Sequence, residues 1–207
     1  PGNSFNSELV TLTPAYAKVG TQVLPASAVA AAFAGNRASK ELGYSTTYDT
    51  LGAITSVPSV EYFSPDQIEG LKSAGWQLLV QENSSSVPII YHETTTETDI
   101  LEKREESLTI AFHACAAEIR ANIQPFIARG VANRMSSDPT APVTLSTLRT
   151  LNMAVASVRT KYLTQRILSN IEILGVTQNE SNPDQSDIQV KLTPYYPHNR
   201  ANITIFI

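Results

Sequence analysis

Two long segments repeat their apolar residues at helical spacing, and this constrains the fold more than anything else in the chain. In residues 99–129, Leu101, Leu108, Phe112, Cys115, Ile119 and Phe126 fall on one stripe at spacings near 3.6. Thr98 or Asp99 can cap this helix, and Asp99, Glu102, Glu105 and Glu106 suit its amino end. Pro125 should kink or end it, and Gly130 closes the region. A second helix is expected from Thr144 to about Asn170, with Leu148, Leu151, Val155, Val158, Tyr162 and Ile167 as its apolar face. Neither stripe can be buried by its own helix, so both need a further layer.

The remaining elements read as short helices and strands. Pro25 to Ser27 opens a small helix over residues 28–34, stopped by Gly35. Residues 36–59 are polar, carry no period, and read as a long surface loop. Ser64-Pro65-Asp66-Gln67 is a helix start: Ser64 caps, Pro65 takes the first helical position, and Gln67 completes a capping box. Gly75 ends that helix, and residues 76–81 and 87–91 form a hairpin around the turn at Asn83. Residues 171–177 are extended. In residues 188–193, Ile188, Val190 and Leu192 alternate with Gln189, Lys191 and Thr193, the pattern of a half-buried strand. The expected fold is α+β, a mixed β-sheet packed against two long helices with an extended carboxy-terminal β arm. The expected sheet comprises residues 76–81, 87–91, 171–177 and 188–193.

Composition excludes several functions. The 207 residues are 42% hydrophobic and only 16% charged, against the usual ~25% charged. That suits a protein with much of its surface facing other protein. The net charge of −4 argues against nucleic acid as the main partner. No run approaches the ~20 apolar residues of a membrane span, so no membrane partner is expected. The single cysteine, Cys115, excludes an internal disulfide framework. The chain opens on Pro1 rather than Met, without a signal peptide, and reads as a processed product or a fragment. The Asn-x-Ser/Thr triplets at Asn83, Asn179 and Asn202 read as chance occurrences in a chain rich in Ser and Thr.

No catalytic, metal or cofactor site is expected. The histidines His92, His113 and His198 stand in no ligand pattern, and no phosphate-binding glycine loop or nucleophile elbow occurs. His113 and Cys115, two residues apart on a helix, point about 200° from each other and cannot form a nucleophile pair. Cys115 reads as a small buried hydrophobe. The acids Glu102, Glu105 and Glu106 beside Lys103 and Arg104 read as a solvated, ion-paired face. The second helix differs: Arg149, Arg159, Lys161 and Arg166 meet no acid between Thr144 and Ile171. Two readings stay open for these four, a solvated face or docking against an acidic protein surface.

In chain order these parts form a recognisable pattern. Leu24-Pro-Ala-Ser-Ala-Val-Ala-Ala-Ala-Phe-Ala34 precedes the polar loop. A helix ends in Leu71-Lys-Ser-Ala-Gly75 directly before a strand, and the hairpin returns into Ile89-Ile-Tyr-His-Glu-Thr-Thr-Thr96. Two long helices, a two-stranded unit and a β carboxyl terminus follow. This resembles the carboxy-terminal conserved region of the contractile tail sheath proteins of bacteriophages, whose relatives occur in R-type bacteriocins and type VI secretion systems. The resemblance implies a non-enzymatic subunit that stacks helically around a tail tube protein and contracts to drive the tube through the host envelope. It implies baseplate and tail terminator as partners at the two ends, assembly in the host cytoplasm, and a place in the virion. It further implies a core domain over residues 1–200 and an arm over residues 201–207 that adds a strand to a neighbouring subunit.

The arm itself supports strand addition. Ile203, Ile205 and Ile207 share one face of residues 201–207, and Thr204 and Phe206 share the other. A terminal strand apolar on both faces needs a cover, from its own subunit or from another. Under the resemblance, Arg149, Arg159, Lys161 and Arg166 face the tail tube. Three other classes stay open: another virion structural protein (tube, baseplate or capsid component), a soluble α/β binding domain, and an enzyme with an unrecognised site.

Overall fold

A computed structural model describes residues 6–13, 17–57, 63–81, 83, 85–128, 145–178 and 186–196. In chain order the elements are β1 (Lys18–Val19), β2 (Gln22–Val23), α1 (Ala26–Ala38), α2 (Pro65–Ser73), β3 (Leu79–Val80), β4 (Ile89–Ile90), α3 (Leu101–Arg104), α4 (Glu106–Ala128), α5 (Leu145–Thr164), β5 (Leu168–Gln178) and β6 (Ser186–Pro194). The class is α+β, as expected. The chain divides into two compact units, one built on residues 1–110 and the other on Ala111–Tyr195.

The strands do not join into the one mixed sheet that the sequence led us to expect. Among the described residues they form three separate antiparallel pairs, β1 with β2, β3 with β4 and β5 with β6. The first pair turns at Gly20, whose φ of +58° lies in the left-handed region where glycine carries no steric penalty. The hairpin around Asn83 is present but short, Leu79 pairing with Ile90 and Val80 with Ile89. The Asn83 carboxamide oxygen fixes its turn by accepting from the amides of Ser85 and Ser86 at 2.9 and 3.0 Å.

Helix α1 corrects one expectation. It does not stop at Gly35 but runs on to Ala38. Glycine inside a helix costs about 0.5–1 kcal/mol. Here Val29, Phe33 and Arg37, spaced by four, are all buried, and their packing outweighs that cost. Helix α2 starts as its sequence dictates. The Gln67 amide donates to Ser64 Oγ at 3.3 Å, the Ser64 amide donates to Gln67 Oε1 at 2.8 Å, and Pro65 occupies the first helical position.

The stretch read as a surface loop, residues 36–59, is also different. Leu51, Ile54 and Val57 from it are buried beside Ala17, Val29, Phe33, Leu79 and Ile90, and together they make the core of the first unit. A turn at 52–53 separates Leu51 from Ile54, and the Ser56 bridge to Lys18 precedes Val57, so no helix or strand period announces them.

The first long helix is broken. Residues 101–104 form α3 and residues 106–128 form α4, with the break at Glu105. The buried threonines that follow β4 explain it. The Thr95 amide donates to the Arg104 carbonyl at 2.7 Å, and the Thr95 hydroxyl donates to the Lys103 carbonyl at 2.7 Å. These carbonyls are thus satisfied from outside, as at a helix carboxyl end. Pro125 does not end α4, which continues to Ala128.

In the second unit α4 and α5 bury complementary stripes. Ala111, Cys115, Ile119 and Ile123 are buried on α4, and Leu151, Ala154, Val155, Val158 and Tyr162 on α5. The α4 stripe is offset from the expected one, for Phe112 is only half-buried and Ala111 takes the core position. Asn122 Nδ2 of α4 donates to Ser157 Oγ of α5 at 3.1 Å, and Lys161 Nζ pairs with Glu118 Oε2 at 2.8 Å. Helix α5 ends at Thr164 and not near Asn170, because Arg166 adopts φ +55° and turns the chain into β5.

Candidate assembly surfaces and a buried charge cluster

The β5–β6 hairpin is the longest pairing in the chain. Its register sets Ile171 opposite Leu192 and Ile173 opposite Val190, so their shared face is apolar. The expected alternation of Ile188, Val190 and Leu192 against exposed Gln189 and Lys191 holds. Two register irregularities interrupt the ladder, between Leu168 and Asn170 and between Ile173 and Gly175. Alternation along β5 puts Leu174 on the face opposite Ile171, so Leu174 is 58% exposed and Ile171 1%. Among the described residues β5 and β6 pair only with each other, so each presents an outer edge of unpaired backbone groups.

A groove flanks each strand. One, of about 470 Å³, lies between α4 and β6 and is lined by Ala116, Ile119, Ile123, Ile188, Val190 and Leu192, with Arg120 and Gln124 at its polar margin. The other, of about 510 Å³, lies between α5 and β5 and includes Arg159, Asn152, Asn170 and Glu172. The first is apolar and lies against the face of β6 that carries Ile188, Val190 and Leu192. The second is polar and carries both charge signs.

The four cations singled out from the sequence are all exposed, but they do not form one face. Arg149 and Arg159 lie about 80° apart around α5, while Arg159 and Lys161, two residues apart, diverge by about 200°. Lys161 is engaged by Glu118 of α4. Arg166 is off the helix, in the turn before β5. The arm residues Ile203, Thr204, Ile205, Phe206 and Ile207 lie outside the described residues, as does His198.

His113 is exposed and Cys115 is 0% exposed, on opposite sides of α4. Burial pushes the Cys115 thiol up to about 11, the direction of an inert structural cysteine. Among the described residues no group of three or more His, Cys, Asp or Glu is arranged to hold a metal ion, and no helix is long and apolar enough to cross a membrane.

The first unit holds a feature that the sequence did not announce. Glu93, Thr94, Thr95 and Thr96 are four consecutive polar residues, each no more than 1% exposed. Glu93 Oε2 accepts from the Thr46 amide at 2.7 Å and from the Thr46 hydroxyl at 3.1 Å, and Arg37 Nη1 stands 3.7 Å away. The same guanidinium donates to the carbonyls of Tyr44 and Glu41, which ties α1 to the turn that follows it. The Glu93 amide donates to Thr47 Oγ1 at 3.1 Å. Beside this cluster, His92 Nδ1 lies 2.8 Å from the Glu93 carbonyl oxygen and Nε2 lies 3.5 Å from Glu105 Oε1. Burial holds His92 below its ordinary value, so its ring is a neutral donor to that carbonyl at neutral pH. The only advance signal was a glutamate opening a threonine run directly after an apolar strand.

No family model matches the chain, and no curated protein matches it. Solved structures do. A chain of the anti-feeding prophage baseplate aligns over 99% of the protein with a TM-score of 0.71 and 16% identity. A chain of the PVC sheath complex, an extracellular contractile injection system in its contracted state, aligns over 98% with a TM-score of 0.66 and 12% identity. The sheath tail protein of Listeria innocua aligns over 91% with a TM-score of 0.68 and 12% identity. The chain spans 59%, 57% and 43% of the length of these three neighbours. At such identities the likeness is one of fold. The protein carries the fold of the sheath proteins of contractile tails and injection systems.

Proposed function

We propose that the protein is a structural subunit of a contractile tail sheath, polymerising helically around a tail tube and contracting to drive that tube through a host envelope. One observation carries the reading: chains of a contractile sheath complex and of a sheath tail protein share this fold over 98% and 91% of the chain. Fold alone does not fix function. The surface chemistry agrees with it, since the chain is sparse in charge and, among the described residues, the β5–β6 hairpin has unpaired edges and an apolar groove against one face of β6. The subunit works by assembly and not by catalysis, and needs no cofactor.

Within this reading the finer assignments follow the sequence. The assembly is a phage tail, with the tube protein inside it and the baseplate and tail terminator at its ends. Residues 1–200 form the core of the subunit. Residues 201–207 form an arm that adds a strand to a neighbouring subunit, with Ile203, Ile205 and Ile207 on one face. Of Arg149, Arg159, Lys161 and Arg166, which are spread over more than one face, two or three supply weak contacts to the tube, each worth ~0.2–1 kcal/mol at an exposed site. Weak contacts suit a shell that must release the tube when it contracts.

The neighbour from a prophage baseplate favours a second reading, a sheath-like ring at the baseplate end. Negative-stain electron microscopy of the purified full-length protein separates the possibilities. A sheath subunit gives long tubes with a central lumen, a baseplate ring gives short closed discs, and compact monomers refute both.

A further inference from the structure

We propose that residues 6–13 are a releasable strap over the first unit, a segment that covers the backbone edges at Gln77 and Thr96 and lifts off as one piece while the core beneath stays folded. Burial is the first ground for this. None of residues 6–13 is buried, and Leu9 is 73% exposed. Val10 and Leu12 are half-buried, and the core cluster of this unit, which includes Ala17, Phe33 and Ile90, draws on no residue of the strap.

Polar contacts to two distant stretches of the chain place the segment instead. The Gln77 amide donates to the Leu12 carbonyl at 2.8 Å, beside a parallel bridge between Leu12 and Trp76. The Thr96 amide donates to the Val10 carbonyl at 2.8 Å. The Thr96 hydroxyl donates to the Ser7 carbonyl at 2.9 Å and accepts from the Ser7 amide at 3.1 Å. Asn6 closes the far end: its Nδ2 donates to Asp99 Oδ2 at 3.1 Å, and its Oδ1 accepts from the Thr98 amide at 3.3 Å. Glu8 Oε2 pairs with Nζ of the exposed Lys103 at 2.9 Å.

These contacts leave the strap near an even balance. Fixing the backbone of one residue costs about as much as one net hydrogen bond returns. The strap orders its whole length with no fully buried side chain to add to that return. What lies beneath is firmer. Thr96 is 0% and Gln77 2% exposed, and the Ile90 amide, in a residue 0% exposed, donates to the Asp49 carbonyl at 2.8 Å. The strap is therefore the low-stability part of a firm unit. Its release bares the Gln77 and Thr96 amides, two donors on an edge of the kind to which another extended segment adds. The closed strap thus also shields the first unit from pairing with other chains. On the sheath reading it gives each subunit a part that yields before its core does, and the strap itself does not depend on that reading.

Amide hydrogen exchange on the full chain, followed by nuclear magnetic resonance, tests this. Protection of the Gln77 and Thr96 amides should agree within about threefold and lie at least about 100-fold below that of the Ile90 amide. In Glu8→Gln, which removes the ion pair with Lys103, protection of both should fall together by about 1.4- to 5-fold, the equivalent of an exposed pair worth ~0.2–1 kcal/mol, with Ile90 unchanged. If Gln77 and Thr96 are protected as strongly as Ile90, or if Glu8→Gln frees Thr96 and leaves Gln77 unchanged, the proposal is wrong. The wild-type protection alone decides whether the strap lifts.

Discussion

Truncating Ile171 to Ala should destabilise the second unit far more than truncating Leu174, three residues along the same strand. Ile171 is 1% exposed and faces the helices, while Leu174 sits at the register irregularity and is 58% exposed. Replacing Ile171 removes three carbons from a buried site, about 2.4 kcal/mol at ~0.8 kcal/mol each, and a residual cavity brings the expected loss to about 3 kcal/mol. Leu174→Ala deletes a similar volume from a site mostly in water, so its loss should be about 0.5 kcal/mol. With a urea slope of about 2 kcal/mol per molar, the Ile171 variant should unfold at a midpoint about 1.5 M lower and the Leu174 variant within about 0.3 M of wild type. Helix circular dichroism in urea reads both. Equal shifts for the two variants would refute the reasoning, because they would mean that Ile171 and Leu174 do not lie on opposite faces of β5.

The other outcomes follow from the same geometry. Cys115, fully buried with its thiol raised to about 11, should react with a disulfide reagent at neutral pH only after denaturant is added; prompt reaction in the native protein would contradict the packing of α4 on α5. Charge reversal at Arg149 and Arg159 together should weaken assembly on tubes, most at low salt, and leave folding unchanged; unaltered assembly would remove these residues from the tube contact. Lys161→Glu should also cost stability through the lost Glu118 pair, by under about 1 kcal/mol, and equal stability in Glu118→Gln and wild type would show that the pair contributes nothing. Deleting residues 202–207 should leave a folded subunit that no longer forms tubes, as judged by electron microscopy, and tube formation by the truncated chain would end the arm's role as connector.

Much of the second unit was legible in the sequence because its elements are long and periodic. Leu151, Val155, Val158 and Tyr162 mark α5 by spacing alone, and Ile188, Val190 and Leu192 mark β6. Phe112 misled because size is a poor guide beside geometry: Ala111 lies on the buried face, and the larger ring is left at its margin. The first unit was harder to read. Leu51, Ile54 and Val57 reach the core from an irregular stretch, and only tertiary packing shows that such a stretch is interior. The break at Glu105 was hidden for a similar reason. The donors that satisfy the Lys103 and Arg104 carbonyls come from Thr95, which precedes the helix and carries no helical signal. Glu93 and Arg37 are 56 positions apart in the sequence, so their pairing could not be read from local spacing. The candidate cations were legible as a group without acids, yet their angular spread became clear only once α5 was found to end before Arg166.

The central claim is that this chain builds the moving outer shell of a contractile machine. Cryo-electron microscopy of the native particle before and after contraction tests it most directly. The account predicts this fold repeated in a helical layer outside an inner tube, with the layer shorter and wider after contraction and the tube unchanged. Finding the fold in the inner tube, in the capsid, or in a layer whose length stays fixed would contradict it.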